Sequence, residues 1–346
     1  MNVGEAGEFR LIERLCRSMP LAAPGLVVPV GDDAAVIRMG GEEDLLATCD
    51  MLVEGVHFIR DRTSARLLGR KAAAVNLSDV AAMGGWPAYL FVSLAVPGDL
   101  PVAWADGLYQ GLGEAAERFG FALAGGNVSR HPDRVVVDIF LLGKVESGRA
   151  LLRSGARPGD RILVTGSLGD SAAGLALLDH PSATVPAGIR ERLVAAHQDP
   201  EPRIGEGRAI GAWGGVTAAL DVSDGLLADL SHLCESSGVS ARVHADRVPV
   251  SPQSREAADA LGKDLLDWSL SGGEDYELLF TVPPEQVEMA IRLLNGDGMA
   301  RATEIGEILE PGQGVLVLDE HGKTMRSGAS CGWDHFRPKL PMGDTP

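Results

Sequence analysis

Apolar positions recur at helical spacing near the start of the chain. Over residues 8–19 (EFRLIERLCRSM), Phe9, Ile12, Leu15 and Cys16 fall on one face, which predicts a helix. Apolar runs at 34–38 and 45–49 read as strands. Ser64 stands where the N-cap of a long helix belongs, SARLLGRKAAAVNLSDVAAM, closed by Gly84-Gly85. A strand over 89–96 follows, then an amphipathic helix over 101–119 that stops at Gly120. Strands over 122–124 and 134–145 are separated by GGNVSRHPD, which reads as a loop. The stretch ESGRALLRSGARPGD mixes Gly, Pro and Ser with weak periodicity and reads as a linker. Beyond it the pattern predicts a strand at RILVTG, a glycine turn at SLGDS and a helix at AAGLALLDH. Further strands are expected over 218–222, 278–282 and 314–318, and helices over 226–236 and 284–294, before an aromatic tail at 332–336. Strands and helices mix without strict βαβ alternation. The expected fold is α+β in two domains, 1–147 and 148–346.

Set into this pattern are acidic residues with apolar or glycine neighbours, at five places. They are Asp32-Asp33 in VPVGDDAAV, Asp50 in LLATCDMLVEGVHF, Asp79 in AAAVNLSDVAAMGG, Asp221 and Asp224 in AALDVSDGLL, and Glu274-Asp275 in LSGGEDYELLF. A carboxylate among Val, Ala and Leu is costly to desolvate unless positive charge meets it. No Lys or Arg lies inside any of these segments, so a bound divalent metal is the simplest partner. Plainer readings stand beside it: Asp33 in a turn, Asp224 as a helix N-cap, His57 as a surface loop residue after Asp50. Asp79 has fewer of them, because its helical neighbours are mostly small or apolar.

Composition narrows the chemistry. A net charge of −17 argues against nucleic acid and anionic membranes as partners. Metal ions would reverse the local sign for an anionic substrate such as ATP. The 44 glycines include pairs at segment ends, which permit either plain turns or close backbone approach to a ligand. Cys16, Cys49, Cys234 and Cys331 form no CxxC pair, which fits a reducing cytosol rather than a zinc site. The N-terminus lacks a signal-peptide core, and apolar runs fall short of the roughly 20 residues that span a bilayer. A cytoplasmic protein is expected. Gly322-Lys323-Thr324 resembles the end of a Walker A loop, but Val317 occupies the first glycine position, and the context reads as a hairpin turn. No complete GxGxxG and no HRD or DFG set is present. NLSDVAAM and DVSDGLLADL echo one another, by related function or by coincidence.

GDDAA, DMLVEGVHF, VNLSDVAAMGG, ALLRSGARPGD, TGSLGDSAAGL, LDVSDGLLADL, SGGEDYELLF and GWDHF occur in the order seen in thiamine-monophosphate kinases. The chain resembles that family from about residue 7 to 337. The resemblance implies the two-domain α+β fold of the wider aminoimidazole ribonucleotide synthetase-like superfamily, with ATP as co-substrate. It also implies a homodimer and phosphorylation of thiamine monophosphate to thiamine diphosphate. On the matching positions, Asp33, Asp50, Asp79, Asp221 and Asp224 would hold several magnesium ions, with Thr48 and Cys49 against them. Gly126, Asn127, Arg153 and Ser223 would contact ATP, with Tyr109 a weaker candidate. His57, Glu274 and Trp333 would line the thiamine-phosphate pocket, where an indole beside the thiazolium makes sense as a cation–π contact.

Two positions depart from the family pattern. Asn127 stands where an Asp is usual, so one metal would be held more weakly or through water. Cys49 stands where Thr is common, and a neutral thiol is a poor magnesium ligand, which leaves its backbone carbonyl. Selenophosphate synthetases carry a reactive Cys or selenocysteine and a Lys before the GDD segment; LAAPGLVVPVGDD has neither. Hydrogenase-maturation dehydratases end in a functional Cys, whereas this chain ends MGDTP. A non-catalytic acidic metal-binding module would account for the carboxylates, but not for Arg153 or Trp333.

Overall fold

A computed structural model of the chain describes residues 3–296, 298–327 and 335–336. The first half contains α1 (Val3–Ala6), α2 (Glu8–Cys16), β1 (Leu26–Val28), β2 (Ala35–Arg38), β3 (Glu43–Val53), α3 (Ala65–Ala82), β4 (Trp86–Val96), α4 (Val102–Phe119), β5 (Ala122–Arg130) and β6 (Val136–Glu146). The second contains β7 (Arg161–Thr165), α5 (Asp170–Asp179), α6 (Ala187–Gln198), α7 (Ile204–Trp213), β8 (Ala218–Val222), α8 (Leu226–Ser237) and β9 (Ser240–His244). It continues with α9 (Pro252–Leu261), α10 (Leu265–Ser271), β10 (Glu277–Val282), α11 (Val287–Leu294), β11 (Ala302–Leu309), β12 (Val315–Leu318) and β13 (Thr324–Ser327). The described strands form a six-stranded sheet, β1-β2-β3-β6-β4-β5, and a seven-stranded sheet, β13-β12-β9-β11-β7-β10-β8. Each mixes mostly antiparallel pairs with one parallel pair, β4–β5 in the first and β9–β12 in the second.

Helix α3 is the element on which the site is built. Ser64 caps it by accepting a hydrogen bond from Leu67 N at 3.3 Å. Its Ala-rich sequence has no polar face, and the helix is buried nearly all round between the first sheet, α4 and α7. One core therefore spans both halves: Leu68, Leu77 and Val80 of α3 belong to the same cluster as Leu278 and Phe280 of β10.

Several boundaries differ from the sequence expectation. β3 runs on to Val53, so Asp50 lies within the strand rather than at its end. β5 runs through GGNVSR, which puts Gly126 and Asn127 in an edge strand instead of a loop. Small and polar residues disguise that strand, and Gly126 is needed there because a Cβ would lie 2.0 Å from Val92 O on β4. The expected linker is tied down: Leu151 N donates to Met83 O, and Leu152 O accepts from Ala219 N. The turn at Gly322-Lys323 does join two strands, β12 and β13. Trp333 and Cys331 lie outside the described residues.

Candidate active site

The ladder between β2 and β3 stops at Ala35↔Ala47, so Thr48, Cys49 and Asp50 lie beyond the end of that pairing. Asp32 and Asp33 occupy the turn just before β2. Thr48 and Asp50 point inward to α3, and Cys49 points to the opposite, open face of the sheet. From α3, Asn76 Oδ1 accepts the Asp50 amide at 3.2 Å, and Asp79 meets the hydroxyl of Thr48, which donates to it. Burial first of all raises Asp50, with the Asp138 and Asp33 charges adding to it and the Asp79 carboxyl opposing it. Asp221, at the inner end of β8, accepts from Ser78 Oγ at 2.6 Å. The two echoing motifs thus touch, although one is mid-helix and the other a strand end.

Asp33, Asp79 and Asp221 come together, each offering an oxygen within 4.8 Å of the others. Burial raises all three, opposed at Asp33 by Arg153; Asp221 is pushed up to about 7, first by burial and then by Asp33, and Asp79 stands well above the usual range through burial and the Asp50, Asp221 and Asp33 charges. Asp33 Oδ1 is gripped by Arg153 through Nε at 3.0 Å and Nη2 at 2.5 Å. Asp33 Oδ2 is buried and has no hydrogen-bond partner. An orphaned carboxylate oxygen beside two more carboxylates is the arrangement a hard cation satisfies. Magnesium takes oxygens at about 2.1 Å, which spaces its ligand atoms roughly 3–4 Å apart. The donor set, three carboxylates and no soft ligand, fits magnesium in kind.

Two cations correct the idea that the carboxylates lack positive partners. Arg153, 120 residues from Asp33 in sequence, neutralises that residue. Lys71 on α3 does the same for Glu274, with Nζ at 2.7 Å from Oε1. No local window shows either pairing. A third pair joins Arg203 to Glu277, at 2.7 and 2.5 Å.

Asp224 does not cap α8; the N-cap is Gly225, and no side chain bonds there. Instead, Asp229 Oδ2 collects the amides of Ser223, Asp224 and Gly225 at 3.0–3.1 Å. Those amides therefore already have an acceptor. The cost is a raised Asp229, caused mainly by burial and then by Asp224 and Asp221.

Glu274 sits in a strained loop. Gly272 and Gly273 are required for close approach: a Cβ on the first would meet Trp268 O at 2.3 Å, and on the second Ser223 O at 2.6 Å. Glu274 and Tyr276 take the left-handed conformation, with φ of 66° and 51°, at a cost of about 1 kcal/mol or more each. Glu274 N is anchored to Ser223 O at 2.7 Å, which ties the expected substrate contact to the Asp221–Asp224 segment. His57 accepts from Val53 N at 3.0 Å through Nδ1, so its proton sits on Nε2. Its ring centroid is 4.9 Å from that of His335.

The remaining expected residues are dispersed. Asn127 is exposed on β5 and shares a cross-strand row with Ser93 and Asp138. Asp138 accepts from Cys49 Sγ at 3.4 Å, and burial with that neighbour pushes the thiol up to about 11. Tyr109 is partly exposed on α4.

Two matching domains define the class of this fold. The family model "AIR synthase related protein, N-terminal domain" matches residues 31–145, and its C-terminal counterpart matches 157–319. The chain is 40% identical to the thiamine-monophosphate kinase of Escherichia coli (strain K12) over 335 residues, 95% of this chain and 98% of the relative. It is 36% identical to that of Aquifex aeolicus (strain VF5) over 336 residues, 97% and 100% of the two chains. A solved structure of AaThiL complexed with AMPPCP and TMP matches with a TM-score of 0.83 and 36% identity, covering 97% of this chain and 99% of that one. The chain belongs to the thiamine-monophosphate kinase family.

Proposed function

We propose that the chain transfers the γ-phosphoryl group of ATP to the phosphate of thiamine monophosphate, giving thiamine diphosphate and ADP. The observation that carries this reading is the convergence of Asp33, Asp79 and Asp221 around a buried oxygen with no partner. Asp33, Asp50, Asp79, Asp221 and Asp224 hold magnesium, with Thr48 and the backbone of Cys49 against it and Asn127 at the margin. Magnesium supplies the positive charge that lets two polyanions approach.

The chain's own part is positioning. Thr48 and Ser78 donate to Asp79 and Asp221 and so fix their orientation. Arg153 holds Asp33 by one oxygen and leaves the other facing the cluster. Arg153, Ser223, Gly126, Asn127 and Tyr109 form the ATP side; His57, Glu274 and Trp333 form the thiamine side. The attacking phosphate has a second pKa of about 6 and is largely ionised at neutral pH, so no general base is required. Transfer is direct and in line, without a phosphoenzyme.

The wider arrangement fits the same reading. Two units divide at 147/148 on this reading, and the change from one sheet to the other between β6 and β7 supports that division. The open face of the first sheet carries Met51, Tyr89 and Phe140, all exposed, and β5 is the edge of that sheet; a second copy of the chain covers them as a homodimer. Cys16, Cys49 and Cys234 are free thiols, in keeping with a cytoplasmic setting. No helix among the described residues is long and apolar enough to cross a membrane.

The test is product analysis after mixing protein, magnesium, ATP and thiamine monophosphate. Thiamine diphosphate is expected. Its absence, with thiamine or another phosphate accepted instead, would refute the assignment. Labelled phosphoprotein trapped from ATP alone would contradict direct transfer.

A further inference from the structure

Lys71 is the most deeply buried cation in the molecule's centre, 2% exposed, and its Nζ lies 2.7 Å from Glu274 Oε1. It rises from α3, in the first half of the chain, to a carboxylate carried by the second half. The other Glu274 oxygen lies 3.3 Å from His197 Nδ1, at the end of α6, which also bonds Ser171 Oγ at 3.1 Å. Burial and Lys71 push His197 down to about 4, and burial lowers His57, so both rings are neutral near pH 7. Lys71 is thus the charge that meets Glu274, and it meets it from beneath. The Glu274 side chain keeps 27% of its surface exposed, so it is not closed off by these contacts.

We propose that Lys71 is a positioning residue for substrate: it holds the Glu274 carboxylate in one orientation, so that the open edge of that group receives the organic part of thiamine monophosphate. The inference rests on the reading of Glu274 as a substrate contact. Three constraints act on one side chain. The left-handed backbone at Glu274 aims it, the amide bond to Ser223 O anchors it, and the Lys71 and His197 contacts stop it rotating. The pair is close to electrically neutral, so the carboxylate serves the cationic substrate as a fixed hydrogen-bond acceptor rather than as an unmatched charge. Lys71 links the two halves of the chain at this point. The hydrogen bonds at Asp33, Asp79 and Asp221 run to Arg153, Thr48 and Ser78 rather than to Lys71, so its loss is expected to act on the thiamine side.

The experiment compares Lys71→Met, Lys71→Arg, Glu274→Gln and the double variant Lys71→Met/Glu274→Gln with the unaltered protein. KM for thiamine monophosphate, KM for ATP and kcat are measured for each. Lys71→Met and Glu274→Gln are each expected to raise KM for thiamine monophosphate by at least about tenfold, the weight of one charge-assisted hydrogen bond, with KM for ATP unchanged. Lys71→Arg recovers most of the loss. The double variant matches Glu274→Gln alone, because Lys71 acts only through Glu274. That comparison holds even if Lys71→Met by itself fails to fold with an unpaired buried carboxylate. A double variant roughly tenfold worse than Glu274→Gln, or a folded Lys71→Met with unchanged KM, overturns the proposal alone. An unchanged KM in Glu274→Gln overturns the reading of Glu274, and the proposal with it.

Discussion

Replacing Asp221 by Asn separates what the carboxylate cluster does for stability from what it does for function. Asp221 is 3% exposed and accepts from Ser78 Oγ, a bond that the Asn carbonyl oxygen can keep. Without metal, burial and the Asp33 charge raise its pKa from an ordinary 3.8 to about 7. The sign follows from linkage: a carboxyl raised in the folded state binds its proton more tightly there than in the unfolded chain. The folded state therefore loses stability as pH climbs from about 4 to about 7, and the full penalty applies above that. About three pH units at about 1.4 kcal/mol each give about 4 kcal/mol, an upper bound because Asp33, Asp50 and Asp79 share the same protons. In chelator at pH 8, Asp221→Asn is expected to be more stable than the unaltered protein, by up to about 4 kcal/mol. At pH 5, about one unit above the ordinary value, the difference falls to about 1.6 kcal/mol at most. Added magnesium at a hundred times its Kd contributes about 2.7 kcal/mol only to a chain that binds it, so it cuts the variant's advantage by that much. Urea unfolding at both pH values, with chelator and with magnesium, reads all four cases. A variant less stable than the unaltered protein in chelator at pH 8, or equally stabilised by magnesium, would refute the reasoning.

Two further outcomes follow from single contacts. Arg203→Met strips both guanidinium bonds from Glu277, which is 4% exposed and keeps only the bond from Thr165 Oγ1, and should lower stability by about 3–5 kcal/mol in a urea titration; adding Glu277→Gln should recover much of it. Asn127→Asp adds a carboxylate in the row with Asp138 and should lower the magnesium concentration needed for half-maximal activity, read from a metal titration of the rate.

Much of the first half was legible in the sequence because its signals are local. Ser64, the Ala-rich run and Gly84-Gly85 delimit α3, and Gly120 ends α4 in the left-handed conformation. β5 was not legible beyond its first residues: Gly125, Gly126 and Asn127 are poor strand formers, held extended only by pairing with β4. In the second half, α6 and α7 show little amphipathic contrast, and Arg, Glu and Gly interrupt their apolar positions. β9 and β11 were missed for a related reason, since charged residues such as Arg242, Glu304 and Glu307 alternate with the buried ones and pair with each other.

The site divides the same way. Acids in apolar surroundings announce themselves, and Asp33, Asp79 and Asp221 do meet. The groups that answer them do not: Lys71, Arg153 and His197 look like ordinary helix or loop residues until tertiary packing brings them to Glu274 and Asp33. Asp229 was hidden too, as one more acid on an apparent helix face, yet it collects the three amides ahead of α8.

The central claim is that carboxylates from both halves of the chain assemble one metal-dependent site for phosphoryl transfer to thiamine monophosphate. Its most direct test is a magnesium titration of thiamine diphosphate formation in the unaltered protein and in Asp79→Asn. The account predicts no product without magnesium, saturable formation with it, and loss of at least about a hundredfold in the variant at any magnesium concentration. Product formation in chelator, or a variant that keeps the unaltered rate and magnesium dependence, would contradict it.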